Sequence, residues 1–141
     1  MSVVLKDRTE VKVRFGEVDS MGIVWHGNYV KYIEEGRESF GRKYGISYMD
    51  IYKHNVMTPV VNMNIDFKRQ VQYGDQLIIE TELVDQPAAK ILFKFKIFRK
   101  SDDELVATAE TTQVFIDMNR EILLYYPNFV MDWKRKVGLI D

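Results

Sequence analysis

The sequence predicts a mixed α+β domain in which one long helix packs against a curved antiparallel β-sheet of about five strands. Two observations carry this prediction. A stretch with helical spacing follows an alternating stretch in the first third of the chain, and four further alternating stretches come after it with short connections. One helix on one sheet is the simplest arrangement that buries the apolar face of both.

The first strand and the long helix are predicted from two different periodicities. Residues 9–15 alternate charged and apolar side chains, which is the period of a half-buried strand. Residues 29–44 place apolar or small residues three or four apart, as one face of a helix does, and Gly45 is expected to end it. Gly36 in the middle costs about 1 kcal/mol relative to alanine, so we expect the helix to approach the sheet closely there.

The remaining strands are predicted downstream of this helix. Alternation from Met57 to Lys68 indicates one strand, and Tyr73-Gly74-Asp75 ends it as a turn. Residues 76–84, 91–99 and 105–117 follow as three strands whose short connections favour an antiparallel meander. Residues 127–137 are predicted to form a short C-terminal helix that begins at Pro127.

Length and composition limit the classes of function. With 141 residues, one domain spanning 1–141 is expected. The formal net charge is -1 without a basic block, which argues against nucleic acid, and the absence of cysteine removes thiolate metal sites. No signal peptide and no run of about 20 apolar residues is visible, so we expect a cytoplasmic protein without a membrane span or a metal.

Residues 14–29 carry the chemistry that the sequence suggests. Two carboxylates, Glu17 and Asp19, follow the first strand, and the long helix begins about ten residues after the second one. The first turn of a helix has unpaired N–H groups with partial positive charge, which stabilise an oxyanion. A carboxylate opposite such a helix start is able to attack a thioester or to activate water.

This segment resembles the signature of the hotdog thioesterases related to 4-hydroxybenzoyl-CoA thioesterase, a group that includes the Tol-Pal-associated acyl-CoA thioesterases. The resemblance consists of an acidic pair, a glycine three residues later, an apolar run and a closing His-x-Asn-Tyr. In this chain these are Glu17 and Asp19, Gly22, Ile23-Val24-Trp25, and His26, Asn28 and Tyr29. On the helix, Glu34 and Arg37 resemble the Glu-x-Ala-Arg of the family, with Gly36 in place of alanine.

The resemblance implies a hotdog fold and an acyl-CoA thioesterase. Asp19 then takes the role of nucleophile or general base, and the backbone N–H of His26 polarises the thioester carbonyl. Substrate contacts are expected from Gly22, Trp25 and Tyr29. The family pattern further implies a homodimer or homotetramer with the active site between subunits, where the pantetheine arm lies along the interface. Asn62 and Asn64 are polar residues on an otherwise apolar strand, and we expect them to face that arm from the partner subunit. Coenzyme A is part of the substrate, so no separate cofactor is expected.

Alternatives to this function stay open at the sequence level. The same chemistry acts on acyl-carrier-protein thioesters, for which basic residues at positions 42, 43, 90, 94 and 96 offer a docking surface. A non-catalytic acyl-CoA binding module is the rival from another class, since a fold does not guarantee an activity. Asp19 has a structural reading as a turn cap, and His26 as a hydrogen-bonded wall residue. Arg37 is expected to pair with Glu34 or Glu35.

Overall fold

The computed structural model describes residues 3–141. The strands are β1 (Lys6–Lys12), β2 (Val56–Met57), β3 (Val60–Phe67), β4 (Gln76–Val84), β5 (Lys90–Arg99), β6 (Glu104–Val114) and β7 (Ile116–Asp117). The α-helices are α1 (Tyr29–Tyr44), α2 (Tyr48–Tyr52) and α3 (Asn128–Lys136), and single 3₁₀ turns occupy Phe15–Glu17 and His26–Asn28. The predicted α+β class, with one long helix and a five-stranded sheet, is confirmed.

The main sheet is antiparallel and has the strand order β1-β4-β5-β6-β3. The consecutive strands β4, β5 and β6 form the predicted meander. Strand β3 does not join β4, which follows it in sequence, but lies at the far edge and pairs with β6. A small sheet of β2 and β7 extends this edge. The chain therefore crosses the sheet between β3 and β4, which the local pattern did not predict.

Helix α1 lies on the inner face of the sheet and closes the core. Its side chains Ile33 and Phe40 are fully buried, and so is Ile79 of β4. A Cβ atom at Gly36 would lie 2.6 Å from Cγ2 of Ile79 and 2.7 Å from Oγ1 of Thr81. The predicted close approach of helix and sheet at Gly36 is confirmed, because only a residue without a side chain fits this gap.

The first strand begins and ends earlier than predicted. Its ladder with β4 runs from Lys6 to Lys12, whereas residues 9–15 were expected. Lys12 is paired with Gln76, the first residue of β4, and Val13 beyond it bonds to the turn before β4, donating to the carbonyl of Asp75 at 2.9 Å and accepting the N–H of Gly74 at 3.4 Å. Phe15–Glu17 turn into a 3₁₀ helix instead, because the Glu17 side chain accepts the N–H of Arg14 at 2.8 Å.

The expected ion pair of Arg37 with Glu34 or Glu35 is not formed, and Arg37 pairs with no carboxylate among residues 3–141. Its guanidinium is 2% exposed, donates from Nε to Oε1 of Gln113 at 3.1 Å, and donates from Nη1 to the carbonyl of Ile46 at 3.1 Å. The rings of Tyr48 and Phe93 lie within 4.9 Å of Cζ. Burial lowers the pKa of Arg37 from its usual value. Aromatic rings and neutral acceptors replace the expected carboxylate.

The two edges of the sheet differ in how they are covered. At the β1 edge, the hydroxyl of Tyr44 bonds to the N–H and the carbonyl of Lys6, and Nζ of Lys43 donates to the same carbonyl. At the β3 edge, Val61 and Phe67 are 58% and 52% exposed. No strand within residues 3–141 pairs with the outer side of β3. An uncovered apolar edge of this kind favours association.

The C-terminal helix α3 packs against the rest of the domain through two polar side chains. Helix α3 agrees with the predicted 127–137 within a residue at each end. Trp133 donates from Nε1 to the carbonyl of Tyr44 at 2.7 Å, and Lys134 pairs with Asp85 at 2.7 Å.

Helix α2 was not predicted, although Ser47 and Asp50 form a capping box at its start. Within residues 3–141, no helix has both the length and the apolar character to cross a membrane.

Candidate active site

The loop between β1 and α1 folds back on itself as a short antiparallel ribbon. Val18 and Val24 form an isolated bridge, and the N–H of Asp19 donates to the carbonyl of Ile23 at 2.8 Å. Gly22 adopts a left-handed φ of 78° in the turn between them, which favours glycine. The ribbon brings the residues after β1 alongside the residues that lead into α1.

The Asp19 carboxylate lies at the tip of this ribbon and is exposed. Its Oδ1 accepts the N–H of Met21 at 2.8 Å and the N–H of Ile23 at 3.3 Å. No hydrogen bond to Oδ2 is formed by the described residues. Asp19 therefore caps the turn, as the structural alternative expected, but it does so with Oδ1 alone. Two backbone donors orient the carboxylate, and the second oxygen is left available for chemistry.

The start of the long helix presents unpaired backbone donors. Trp25 precedes the 3₁₀ turn His26–Asn28, which runs directly into α1. The carbonyl of Trp25 accepts the N–H of Asn28 at 2.9 Å, and that of His26 accepts the N–H of Tyr29. The N–H groups of His26 and Gly27 find no acceptor among residues 3–141. Together they form the positive end of the helix.

Glu17 holds the ribbon and the helix start together. Its carbonyl accepts the N–H of Trp25 at 3.0 Å and Nδ2 of Asn28 at 2.8 Å. Its side-chain Oε1 accepts the hydroxyl of Tyr32 at 3.0 Å, in addition to the N–H of Arg14. Burial, together with this bond to Glu17, raises the pKa of Tyr32 far above its usual value. Glu17 is thus a structural anchor, a role that the sequence did not indicate.

Aromatic side chains surround the helix start. Trp25 is 54% exposed, and its ring centroid lies 4.9 Å from that of His26. Phe67, at the end of β3, lies with its ring centroid 6.5 Å from His26 and 4.9 Å from Tyr29. Sequence reasoning missed Phe67, because only the strand order brings the end of β3 next to the start of α1. A half-exposed aromatic surface therefore borders the unpaired N–H groups.

A family model described as the thioesterase-like superfamily matches residues 13–134, which include the ribbon, the long helix and every strand except β1. The chain belongs to this superfamily. The predicted resemblance and the predicted enzyme class, a thioester hydrolase, are confirmed at this level.

Individual relatives agree with the family match. A putative acyl-CoA thioesterase of Bacillus subtilis, YneP, is 30% identical over 126 residues, which cover 89% of this chain and 91% of the relative. The structure of the DHNA-CoA thioesterase from Staphylococcus aureus is 27% identical with a TM-score of 0.83, covering 94% of this chain and 91% of that one. The 4-hydroxybenzoyl-CoA thioesterase of Pseudomonas sp., 23% identical with a TM-score of 0.79 over 91% of this chain and 98% of its own, shares the hotdog fold.

Four of the predicted site residues lie together in this superfamily member. Asp19 and Gly22 are in the ribbon, and Trp25 and His26 are at the helix start. Tyr29 lies next to them, but its ring is only 3% exposed, and burial raises the pKa of its hydroxyl. Tyr29 therefore packs beneath the aromatic surface, with Phe67 and Tyr32 against its ring.

Asn62 and Asn64 lie elsewhere. Nδ2 of Asn64 donates to Oδ1 of Asn62 at 3.0 Å, so both side chains are on the same face of β3. Asn64 borders a groove with Glu80 and Lys96 on the outer face of the sheet, opposite to α1. Within one subunit the structure does not bring these two residues to Asp19. A contact with pantetheine remains a prediction for them.

The chemistry of the site rests on a carboxylate and backbone donors. Among residues 3–141 there is no group of three histidine, cysteine or carboxylate side chains that would hold a metal ion. His54, the other histidine, stacks on Phe129 with 3.9 Å between ring centroids, on the surface formed by α2 and α3. The arrangement of Asp19 and the helix start is suited to acyl transfer, in which negative charge develops on a carbonyl oxygen.

Proposed function

We propose that this protein hydrolyses acyl-CoA thioesters to a free carboxylic acid and coenzyme A. The observation that carries the proposal is that the ribbon holds an oriented carboxylate with one free oxygen, on Asp19, and leads directly into a helix start with unpaired N–H groups. The similarity to YneP, described as a putative acyl-CoA thioesterase, supports the choice of coenzyme A.

In the proposed reaction, the backbone N–H of His26 donates to the thioester carbonyl oxygen and stabilises the negative charge that develops there. Asp19 either attacks the carbonyl carbon, which gives an acyl-aspartyl anhydride that water then hydrolyses, or removes a proton from an attacking water. In both routes the C–S bond breaks, the thiolate of coenzyme A leaves and takes up a proton, and one water is consumed. Both routes need an ionised Asp19 at the same place.

The active unit proposed here is a dimer formed through β3. At the β1 edge, Tyr44 and Lys43 bond to the backbone of Lys6, whereas no strand within residues 3–141 pairs with the outer side of β3. A second copy of β3 pairs antiparallel and keeps the apolar Met63 and Ile65 of both copies on the side of the helices. The start of β3 in one subunit then lies beside the end of β3, and hence beside Phe67, in the other. Each site is thereby bordered by both subunits.

Acyl-carrier-protein substrates receive less support from the surface charges. Lys90, Lys94 and Lys96 alternate along β5 and point to the outer face of the sheet, where Lys94 is 3.8 Å from Glu110. Arg42 and Lys43 are on α1, on the other side of the molecule. The five predicted cations do not form one docking surface, so we favour coenzyme A thioesters.

The aromatic rings at the helix start bear on which acyl group the site accepts. Half-exposed rings of Trp25 and Phe67 border the unpaired N–H groups. Such rings pack well against flat or apolar groups. The DHNA-CoA thioesterase from Staphylococcus aureus, named for an aromatic acyl group, is among the similar structures. We therefore expect aryl-CoA thioesters to be better substrates than acetyl-CoA.

Thiol release from aromatic, medium-chain, long-chain and acetyl-CoA thioesters tests the proposal. We expect turnover of at least one thioester, and a loss of about 100-fold or more in kcat for Asp19→Asn, as for other catalytic carboxylates. The matched control is Asp132→Asn, an exposed aspartate on α3 that pairs only with Arg135. Single-turnover hydrolysis in ¹⁸O water then tests the anhydride route, since label enters Asp19 only when water attacks the aspartyl carbonyl of an anhydride.

Two results would contradict the proposed function. Binding of coenzyme A without turnover of any thioester would favour the non-catalytic binding module. Turnover that is unchanged in Asp19→Asn would place the chemistry on another group.

A further inference from the structure

The indole of Trp25 lies across the helix start, directly over Gly27. Its backbone is held on both sides, because its N–H donates to the carbonyl of Glu17 at 3.0 Å and its carbonyl accepts the N–H of Asn28 at 2.9 Å. Only the side-chain torsions of Trp25 are therefore free to change. With 54% of its surface exposed, the ring is not buried in the core, so its position depends on its few neighbours.

Gly27 is the neighbour that makes this position accessible. A Cβ atom at Gly27 would overlap Cζ3 and Cη2 of the indole, and would lie 2.6 Å from Cε3. The backbone of Gly27 is not in the left-handed region, so an L-residue fits its main-chain conformation. Glycine is required here by the space that the indole occupies. Any side chain at 27 displaces Trp25.

The position of the indole matters because of what lies beside it. The N–H groups of His26 and Gly27 have no acceptor among the described residues, and Trp25 is the residue that immediately precedes them. An apolar ring against such donors excludes water from one side, which strengthens their interaction with a developing negative charge. With 54% of its surface exposed, Trp25 also leaves part of the ring available to a ligand bound at these donors.

We propose that Gly27 is a positioning residue that keeps the indole of Trp25 over the helix start, and that Trp25 in this position shields the oxyanion donors and contacts the acyl group beside the thioester carbonyl. This inference rests on the proposed thioesterase function and deepens it. Trp25 was expected from the family resemblance only as a general substrate contact, and nothing in the sequence pattern linked it to Gly27.

A double-mutant cycle tests the link between the two residues. We expect Gly27→Ala and Trp25→Val each to lower kcat by about tenfold, less than the loss of a whole oxyanion donor, with smaller changes in KM. Because both changes act through the indole, the double variant should be no slower than Trp25→Val alone. The matched control is Gly16→Ala on the same loop, where a Cβ meets no atom within 4 Å, and it should retain the wild-type kcat.

Fluorescence provides a readout that a purely structural role does not change. The chain has two tryptophans, so Trp133→Phe leaves Trp25 as the single emitter. In that background, Gly27→Ala should shift the emission of Trp25 to longer wavelength, because the displaced ring becomes more hydrated. A non-hydrolysable thioether analogue of the best thioester should shift the emission to shorter wavelength, and less so in Gly27→Ala.

The outcomes separate this inference from the function on which it rests. If the wild type hydrolyses a thioester but the losses of the two single variants multiply in the double variant, Gly27 and Trp25 act independently and the inference is overturned. Identical Trp25 emission with Gly27 and with alanine also overturns it, whatever the activity. Absence of turnover in the wild type contradicts the proposed function, and the emission spectra still decide whether Gly27 positions the indole. Thermal melting of every variant identifies any loss that comes from unfolding.

Discussion

At the scale of single residues, the site depends on one anchor that performs no chemistry. Glu17 uses its carbonyl to hold Trp25 and Asn28, and its carboxylate to hold Arg14 and Tyr32. The residues just before Asp19 are therefore fixed against the helix start through Glu17, which lies two positions before Asp19 in the chain. Its identity as an acid mattered to the sequence pattern, but its function as an anchor follows from contacts with residues up to 15 positions away.

Replacing Glu17 tests this anchor. Glu17→Ala leaves the N–H of Arg14 and the hydroxyl of Tyr32 without their acceptor, and we expect the free energy of unfolding to fall by about 1–3 kcal/mol. We also expect kcat to fall, since the side-chain bond from Glu17 to Tyr32 of α1 is lost and only the backbone carbonyl of residue 17 still holds Trp25 and Asn28. Urea denaturation and thiol release measure the two effects. Glu17→Gln keeps an acceptor oxygen and should recover most of both; equal losses in Gln and Ala would mean that the negative charge itself is required.

At the scale of elements, the contact of α1 with the sheet explains why this helix tolerates a glycine at its centre. The helical periodicity of residues 29–44 was readable from sequence, and so was the expectation of a close approach at Gly36. The end of β1 was not readable, because it depends on where β4 begins across the ladder. The same is true of Arg37, whose partner Gln113 is 76 residues away along the chain.

Gly36→Ala measures the closeness of this contact. The new methyl group meets Ile79 and Thr81 at 2.6 and 2.7 Å, so α1 must move away from β4. We expect a net loss of about 1–3 kcal/mol in the free energy of unfolding, in spite of the higher helix propensity of alanine. Denaturation curves compared with those of Gly16→Ala check this expectation. A higher free energy of unfolding for Gly36→Ala would contradict this expectation, because it would show that α1 and β4 can separate without a net loss of stability.

At the scale of the whole molecule, the bare edge of β3 links assembly to activity. The same strand that leaves its outer side unpaired ends at Phe67, next to His26. In the proposed dimer, association through this edge would complete the surroundings of the helix start in each subunit. The charged outer face of the sheet, with Lys94 beside Glu110 and Arg8 beside Glu80, is suited to water and adds no apolar surface for a second interface.

A charge placed on this edge tests the proposed dimer. Val61→Asp puts a carboxylate at an exposed position of the edge strand β3, and we expect the molecular mass measured by light scattering to fall to that of one chain, with loss of most thioesterase activity. Val4→Asp is the control, because Val4 and Val61 are both 58% exposed. An unchanged mass in Val61→Asp would exclude pairing through β3. A monomer with full activity would show that one subunit holds a complete site.

The sequence by itself determined the fold class, the long helix, the three-stranded meander and the segment that carries Asp19 and the helix start. These features are local: a period of two or of 3.6 residues, a turn and a short motif are complete within about 20 residues of chain. Only the tertiary structure decided the place of β3, the approach of Phe67 to His26, the acceptors of Arg37 and the position of Trp25 over Gly27. Each of these depends on which distant surfaces fit together, and packing between such surfaces leaves no periodic signal in the sequence.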